Sequence, residues 1–141
     1  MKEKYYIIAG QAKEEIIVQI ERFLVKLPGL SFAYVHGSFV REDKFRDIDI
    51  AIYLKSNSSA ALQAELELET ELYNIVQYPV DVRMLNNAPL SFRYNVIKYG
   101  KHLAVINDDA RSDFEENVLS QYFDFAPYRQ LYLKEALGRG V

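Results

Sequence analysis

The stretch His36-Gly37-Ser38-Phe39-Val40-Arg41-Glu42-Asp43-Lys44-Phe45-Arg46-Asp47-Ile48-Asp49-Ile50-Ala51-Ile52 decides the fold. An apolar run, Leu30-Ser31-Phe32-Ala33-Tyr34-Val35-His36, enters it and reads as a strand closed by Gly37-Ser38. A second strand leaves it from Asp47 to Leu54. Side chains alternate along a strand, so Ile48, Ile50, Ile52 and Leu54 share one face, and Asp47, Asp49, Ala51 and Tyr53 share the other. Acidic side chains on an apolar strand lose solvation, and a cation or a substrate is what usually compensates.

Outward from this stretch the pattern alternates. Before it, Ile16, Ile17, Ile20, Phe23, Leu24 and Leu27 recur at helical spacing over residues 12–27, and Pro28-Gly29 ends the run. After it, Asn57-Ser58-Ser59 has turn and N-cap chemistry. A helix then runs to about Val76, with Ala61, Ala64, Leu68, Leu72 and Ile75 on one stripe and glutamates on the other faces. Val80 to Leu85 is a third strand, with Val80, Val82 and Met84 on one face and Asp81, Arg83 and Leu85 on the opposite one. Asn87 is placed to cap a helix that has Pro89 in its first turn and ends near Gly100. Lys101 to Ile106 reads as a short edge strand. From Asp108 a last helix carries Phe114, Val118, Tyr122 and Phe125, with Pro127 expected to kink or break it before a short terminal helix. The expected fold class is α/β (α+β): a small mixed β-sheet flanked by helices, with a C-terminal helical tail. Residues 1–141 are expected to form a single domain, with the core at about 12–107 and the tail at about 108–141.

Composition narrows the function. The chain has 141 residues and no cysteine, which removes disulfides, thiolate zinc sites and cysteine nucleophiles. Lys and Arg number 17 against 20 Asp and Glu, a net charge of -3 that argues against a protein living on bulk duplex nucleic acid. A local basic cluster can still serve one small anion. The N-terminal apolar run is too short for a signal-peptide core, and no stretch approaches the roughly 20 apolar residues of a membrane span. The expectation is a soluble cytoplasmic protein with no direct nucleic-acid binding and no membrane contact.

The carboxylates carry the chemistry. Asp47 and Asp49 project from one face of a strand, and Asp81 from a strand that can pair alongside. Two carboxylates about 4 Å apart repel by roughly 4 kcal/mol at an effective dielectric near 20, so three together need a cation or a raised pKa. Mg²⁺ suits all-oxygen ligands and takes one or two carboxylates plus substrate phosphates. An Asp-x-Asp alone more often caps a turn or faces solvent, and a Gly-Ser alone more often just ends a strand. The ordered combination is far more specific: strand, Gly37-Ser38, short connection, Asp47-Ile48-Asp49 strand, helix, Asp81 strand. Glycine lets backbone amides approach phosphate oxygens, and a following serine adds a hydroxyl. His36 is expected to pack or hydrogen-bond beside the site, and His102 to be exposed on the edge strand.

In these motifs the chain resembles a minimal nucleotidyltransferase (MNT) of the DNA polymerase β-like superfamily. The matching residues are His36-Gly37-Ser38-Phe39, Arg46-Asp47-Ile48-Asp49-Ile50-Ala51 and Val80-Asp81-Val82, followed by Leu85-Asn86-Asn87-Ala88-Pro89-Leu90, Tyr99-Gly100-Lys101 and Tyr122-Phe123-Asp124-Phe125. The resemblance spans roughly residues 14–133. It differs from many members in the interval between Gly-Ser and the first Asp, which is two residues shorter, carries Glu42 near a usual glycine, and ends in Arg46 where a serine is common. The resemblance implies a palm-like sheet, Mg²⁺, and transfer of a nucleoside monophosphate from a triphosphate. Asp47, Asp49 and Asp81 are then the catalytic and metal-holding residues, with Asp81 also helping to deprotonate the incoming hydroxyl. Gly37 and Ser38 would seat the terminal phosphates. Arg41, Lys44 and Arg46 are candidates to neutralise the triphosphate.

Stand-alone proteins of this kind resemble the antitoxins of prokaryotic toxin–antitoxin pairs. The resemblance implies ATP as substrate, a HEPN-domain ribonuclease toxin as partner, AMP transfer to a toxin tyrosine, and a homo- or hetero-oligomer. Two other readings stand beside it: an antitoxin that neutralises by binding alone, and a small-molecule nucleotidyltransferase. No acceptor domain is recognisable in the chain, which counts against the last. The aromatic tail residues Phe114, Tyr122, Phe123, Phe125, Tyr128 and Tyr132 would either pack internally or form a partner surface.

Overall fold

The computed structural model describes residues 4–56 and 61–137, and the side chains of residues 4–56 and 62–124. The expected turn at Asn57-Ser58-Ser59 lies outside the described residues, as do the side chains of Phe125, Tyr128 and Tyr132. In chain order the elements are β1 (Tyr6–Ile7), α1 (Gly10–Leu24), β2 (Leu30–His36), α2 (Ser38–Arg41), β3 (Lys44–Phe45), β4 (Ile48–Leu54), α3 (Ala61–Val76), β5 (Val80–Met84), α4 (Leu90–Tyr99), β6 (Lys101–Leu103) and α5 (Asp108–Leu137).

Four strands form a mixed sheet in the order β5-β4-β2-β6, with β4 and β5 parallel and the other pairs antiparallel. The strand alternation divides the core as the sequence predicts. Ile48, Ile50, Ile52, Val80, Val82, Met84, Ala33 and Val35 pack under α1 (Ile16, Ile20, Leu24) and α3 (Leu68, Leu72, Val76). Phe32, Tyr34, Ala51 and Leu85 face the other way, against Val96 of α4 and Phe114 and Val118 of α5. Both faces of the sheet are covered, which is what β4 and β5 require as a parallel pair.

Several local expectations change. The short sheet of β1 and β3 and the single turn α2 were not legible, because elements of two to four residues carry no periodicity. Val76 rather than Ile75 is the buried residue at the end of α3; Ile75 is exposed. Asn87 does not cap α4, whose N-cap is Pro89 without a side-chain hydrogen bond. Asn86 is the structural asparagine instead. Its Oδ1 accepts from the Leu54 amide (3.0 Å) and its Nδ2 donates to the Leu54 carbonyl (2.8 Å), which prolongs the β4–β5 ladder past Met84. β6 is shorter than expected and ends at Leu103. α5 continues through Pro127 to Leu137 with no break; proline removes one amide donor, and the remaining ladder carries the helix. No described helix is long and apolar enough to cross a membrane.

A buried polar group ties α5 to the sheet. The Tyr34 hydroxyl donates to Glu115 Oε2 (2.5 Å), which also meets His102 Nε2 (2.7 Å), while Arg111 Nη1 donates to Oε1 (2.8 Å). Burial pushes the Tyr34 phenol up, so it stays protonated and donates. Tyr34→Phe is expected to cost about 1–2 kcal/mol in urea unfolding, the worth of one hydrogen bond to a charged acceptor whose other partners remain. A variant as stable as wild type would show that this bond does not hold α5.

Candidate active site

Strand register brings the acidic residues together. Asp49 of β4 pairs with Asp81 of β5, and His36 of β2 pairs with Asp49. Directly paired residues share a face of a sheet, so Asp81, Asp49 and His36 form one row on the face that α4 and α5 cover further along. Asp47, one residue ahead of β4, reaches the Asp49 carboxyl. All three carboxylates are half-buried.

Their charge is under-compensated. Burial first, and then the neighbouring Asp47 and Asp81 carboxylates, push the Asp49 pKa up to about 7, with Arg83 pulling the other way. Arg83 Nε lies 3.4 Å from Asp81 Oδ1. Among the described residues no three His, Asp or Glu side chains are gathered into a ready coordination cage. The donor set is nonetheless all oxygen, and the Asp47 and Asp81 carboxylates both add to the rise in the Asp49 pKa that burial begins. That chemistry fits a hard divalent cation whose remaining ligands come from a substrate.

The proton on Asp49 gives a stability prediction. The folded carboxyl holds its proton up to about pH 7, whereas an unfolded aspartate releases it near pH 4. The contribution of this one carboxyl to the metal-free fold is therefore fully present below about pH 4 and is lost as pH rises through about 7. Asp49→Asn removes the dependence. At pH 8 in EDTA it is expected to gain about 1–2 kcal/mol over wild type, discounted for the partial exposure of the group, and near pH 4 nothing. Urea unfolding at the two pH values checks this, and the same difference at both would contradict it.

The Gly37-Ser38 turn sits directly on this row. Gly37 has φ +79°, and a Cβ placed on it would lie 2.0 Å from Asp49 Oδ2. Glycine is required here because the carboxylate packs against the backbone itself. Ser38 opens α2, where Val40 and Arg41 amides bond to the Gly37 carbonyl (3.1 and 3.2 Å). The first amides of such a turn have no acceptor within it. The other end of α2 is held by Lys13, whose Nζ donates to the carbonyls of Phe39 and Glu42 at 2.8 Å each. Buried Phe39 and Phe45 pack edge to face beneath (4.8 Å), so the short connection is anchored at both ends.

The basic candidates separate. The Arg41 guanidinium stacks on Tyr99 (4.2 Å) and the Lys44 ammonium on Tyr5 (4.5 Å); both residues, like Arg46, are exposed. Arg83, which the strand pattern places on the Asp81 face and to which the sequence assigns no role, lies against the carboxylates. His36 packs edge to face on Phe92 (5.6 Å), with its Nε2 buried and unpartnered in the structure. Burial holds its pKa down against the pull of Asp81, so the ring is neutral at pH 7 and does not balance the acidic row. His102 is exposed, as expected.

The polymerase beta nucleotidyltransferase family profile matches residues 18–109. No curated protein matches the chain. Among solved structures the chain is similar to one from a toxin–antitoxin complex with AMP-PNP, at 25% identity and TM-score 0.65, covering 88% of this chain and 98% of that one. It is similar at 25% identity and TM-score 0.65 to one from a variant of the toxin–antitoxin pair MntA-HpeT, covering 88% of this chain and 97% of that one. A fold likeness extends to a complex of tri-AMPylated Shewanella oneidensis HEPN toxin with MNT antitoxin, at 23% identity and TM-score 0.61, covering 90% of this chain and 98% of that one.

Proposed function

We propose that this chain, which belongs to the polymerase beta nucleotidyltransferase family, is an antitoxin that transfers AMP from ATP to a tyrosine of a HEPN-domain toxin and so neutralises it. The observation that carries the reading is the in-register row of Asp49 and Asp81, joined by Asp47 and pressed against the Gly37 backbone. The similarity to a toxin–antitoxin complex with AMP-PNP and to a variant MntA-HpeT complex supports ATP and a toxin partner. An AMPylated HEPN toxin occurs in the complex that shares the fold.

In this reading Asp47, Asp49 and Asp81 hold Mg²⁺. When bound, the cation supplies the positive charge that lets carboxylates and phosphate oxygens share one site. Ser38 and the Gly37 turn hold the terminal phosphates, and Arg83 offsets the remaining negative charge beside Asp81. Arg41, Lys44 and Arg46 line the approach as secondary phosphate contacts. The acceptor hydroxyl gives its proton to Asp81 and its oxygen attacks the α-phosphorus in line. The new O–P bond forms as the bond to the β-phosphate bridging oxygen breaks, and pyrophosphate leaves with that electron pair. Residues 1–141 act as a single domain, with the core at about 12–107, and work in the cytoplasm.

Co-expression with the adjacent reading frame, followed by intact-mass analysis of that partner, tests the reading. The expected result is an added adenylyl group on a tyrosine, dependent on ATP and divalent cation. A partner neutralised with no added mass would instead establish an antitoxin that acts by binding.

A further inference from the structure

Among the described residues strand β5 is an edge of the sheet: β4 pairs with one flank and no described strand pairs with the other. An edge strand normally presents its outward amides to solvent or to another chain. Here the amides of Val82 and Met84 donate to carboxylates of α3: Val82 to Glu69 Oε2 and Met84 to Glu65 Oε2, both at 2.8 Å. The match is geometric. Residues four apart on a helix are separated by about 6 Å along its axis, and residues two apart on a strand by about 6.6 Å. α3 runs antiparallel to β5 in this contact, since the earlier glutamate takes the later amide. Two glutamates from what reads in sequence as a solvated helix face thus stand in for a missing fifth strand.

Asp81 is the member of the catalytic row that stands next to these contacts. It directly precedes Val82, and the Glu69 carboxyl lies beside its own. A strand of five residues held on one side only can shift at its ends, and a shift of about 1 Å at a reacting group can cost 100-fold in rate. We infer that Glu65 and Glu69 are positioning residues for AMP transfer, clamping the outer flank of β5 so that Asp81 stays level with Asp49. The inference rests on the transfer reading above.

The test uses the full chain with its partner. It measures kcat and KM for ATP in AMP transfer, together with hydrogen exchange of the Val82 and Met84 amides. Glu69→Ala is expected to lower kcat by about 10–100-fold with KM within about twofold, and to quicken exchange at Val82. Glu69→Gln keeps a carbonyl acceptor for the same amide and is expected to restore kcat to within about threefold of wild type. Glu65→Ala, further from Asp81, is expected to quicken exchange at Met84 with a smaller fall in kcat, and it carries the test if Glu69→Ala does not fold. Faster exchange with unchanged kcat would overturn the inference and leave the glutamates as edge protection. So would a Gln variant as slow as the Ala variant, because the charge and not the clamp would then matter. A wild type that transfers no AMP overturns the transfer reading itself, and this role with it.

Discussion

The double substitution Asp47→Asn, Asp49→Asn is expected to lower AMP transfer by about 10³-fold or more while leaving the fold intact. Both side chains keep their shape, so the packing of residue 49 on the Gly37 backbone persists. What disappears is the negative charge that would hold a cation against the triphosphate, the dominant contribution to a phosphoryl transfer with little other covalent chemistry. The same change relieves the repulsion that pushes the Asp49 pKa up to about 7. Melting in EDTA should therefore show a temperature equal to or above that of wild type, and added Mg²⁺ should stabilise wild type alone. Loss of activity together with a collapsed melting temperature would mean that the pair is structural. Retained activity would remove the carboxylates from the mechanism.

Gly37→Ala is expected to have the second largest effect. The position combines φ +79° and ψ -162°, a region open almost only to glycine, with a neighbour that a Cβ would overlap. The expected cost is about 2–4 kcal/mol of stability, because the backbone strain and the displaced carboxylate add. Transfer should fall by about 100-fold, since relief comes from moving Asp49 or the turn, and both belong to the site. Gly29→Ala is the control. Gly29 also has positive φ (+81°), but its Cβ would meet nothing within 4 Å. It should cost about 1 kcal/mol and leave transfer unchanged. Equal losses in the two variants would show that backbone strain alone, and not contact with Asp49, explains Gly37.

The parts of the fold that were legible in the sequence are those with a period. Ile48, Ile50 and Ile52 alternate with Asp49 and Ala51, and Val80, Val82 and Met84 with Asp81 and Arg83, so the acidic face could be read before any register was known. That the Asp81 strand can lie beside the Asp47–Asp49 strand was legible too; the full strand order and the register that levels Asp81, Asp49 and His36 were not, because pairing is a long-range choice. Contacts between a charged side chain and backbone were also illegible. Lys13 reaches the Phe39 and Glu42 carbonyls, and Glu65 and Glu69 reach the β5 amides, yet in sequence each is one more charge on a helix. Asn86 and Asn87 show the limit of local rules. Both suit a helix cap, and the one used is used on Leu54, 32 residues away. The Arg41 and Lys44 side chains lie on Tyr99 and Tyr5, contacts between distant parts of the chain that no local pattern announces, and Arg83 meets Asp81.

The most direct measurement is a calorimetric titration of the chain with a non-hydrolysable ATP analogue, with and without Mg²⁺, for wild type and for the Asp47→Asn, Asp49→Asn variant. If the acidic row and the Gly37 turn form one nucleotide site, wild type binds the analogue in the presence of Mg²⁺ and binding weakens by about 100-fold when either the cation or the two carboxylates are removed. Equal affinity in all four conditions, or no binding by wild type with Mg²⁺, would contradict it.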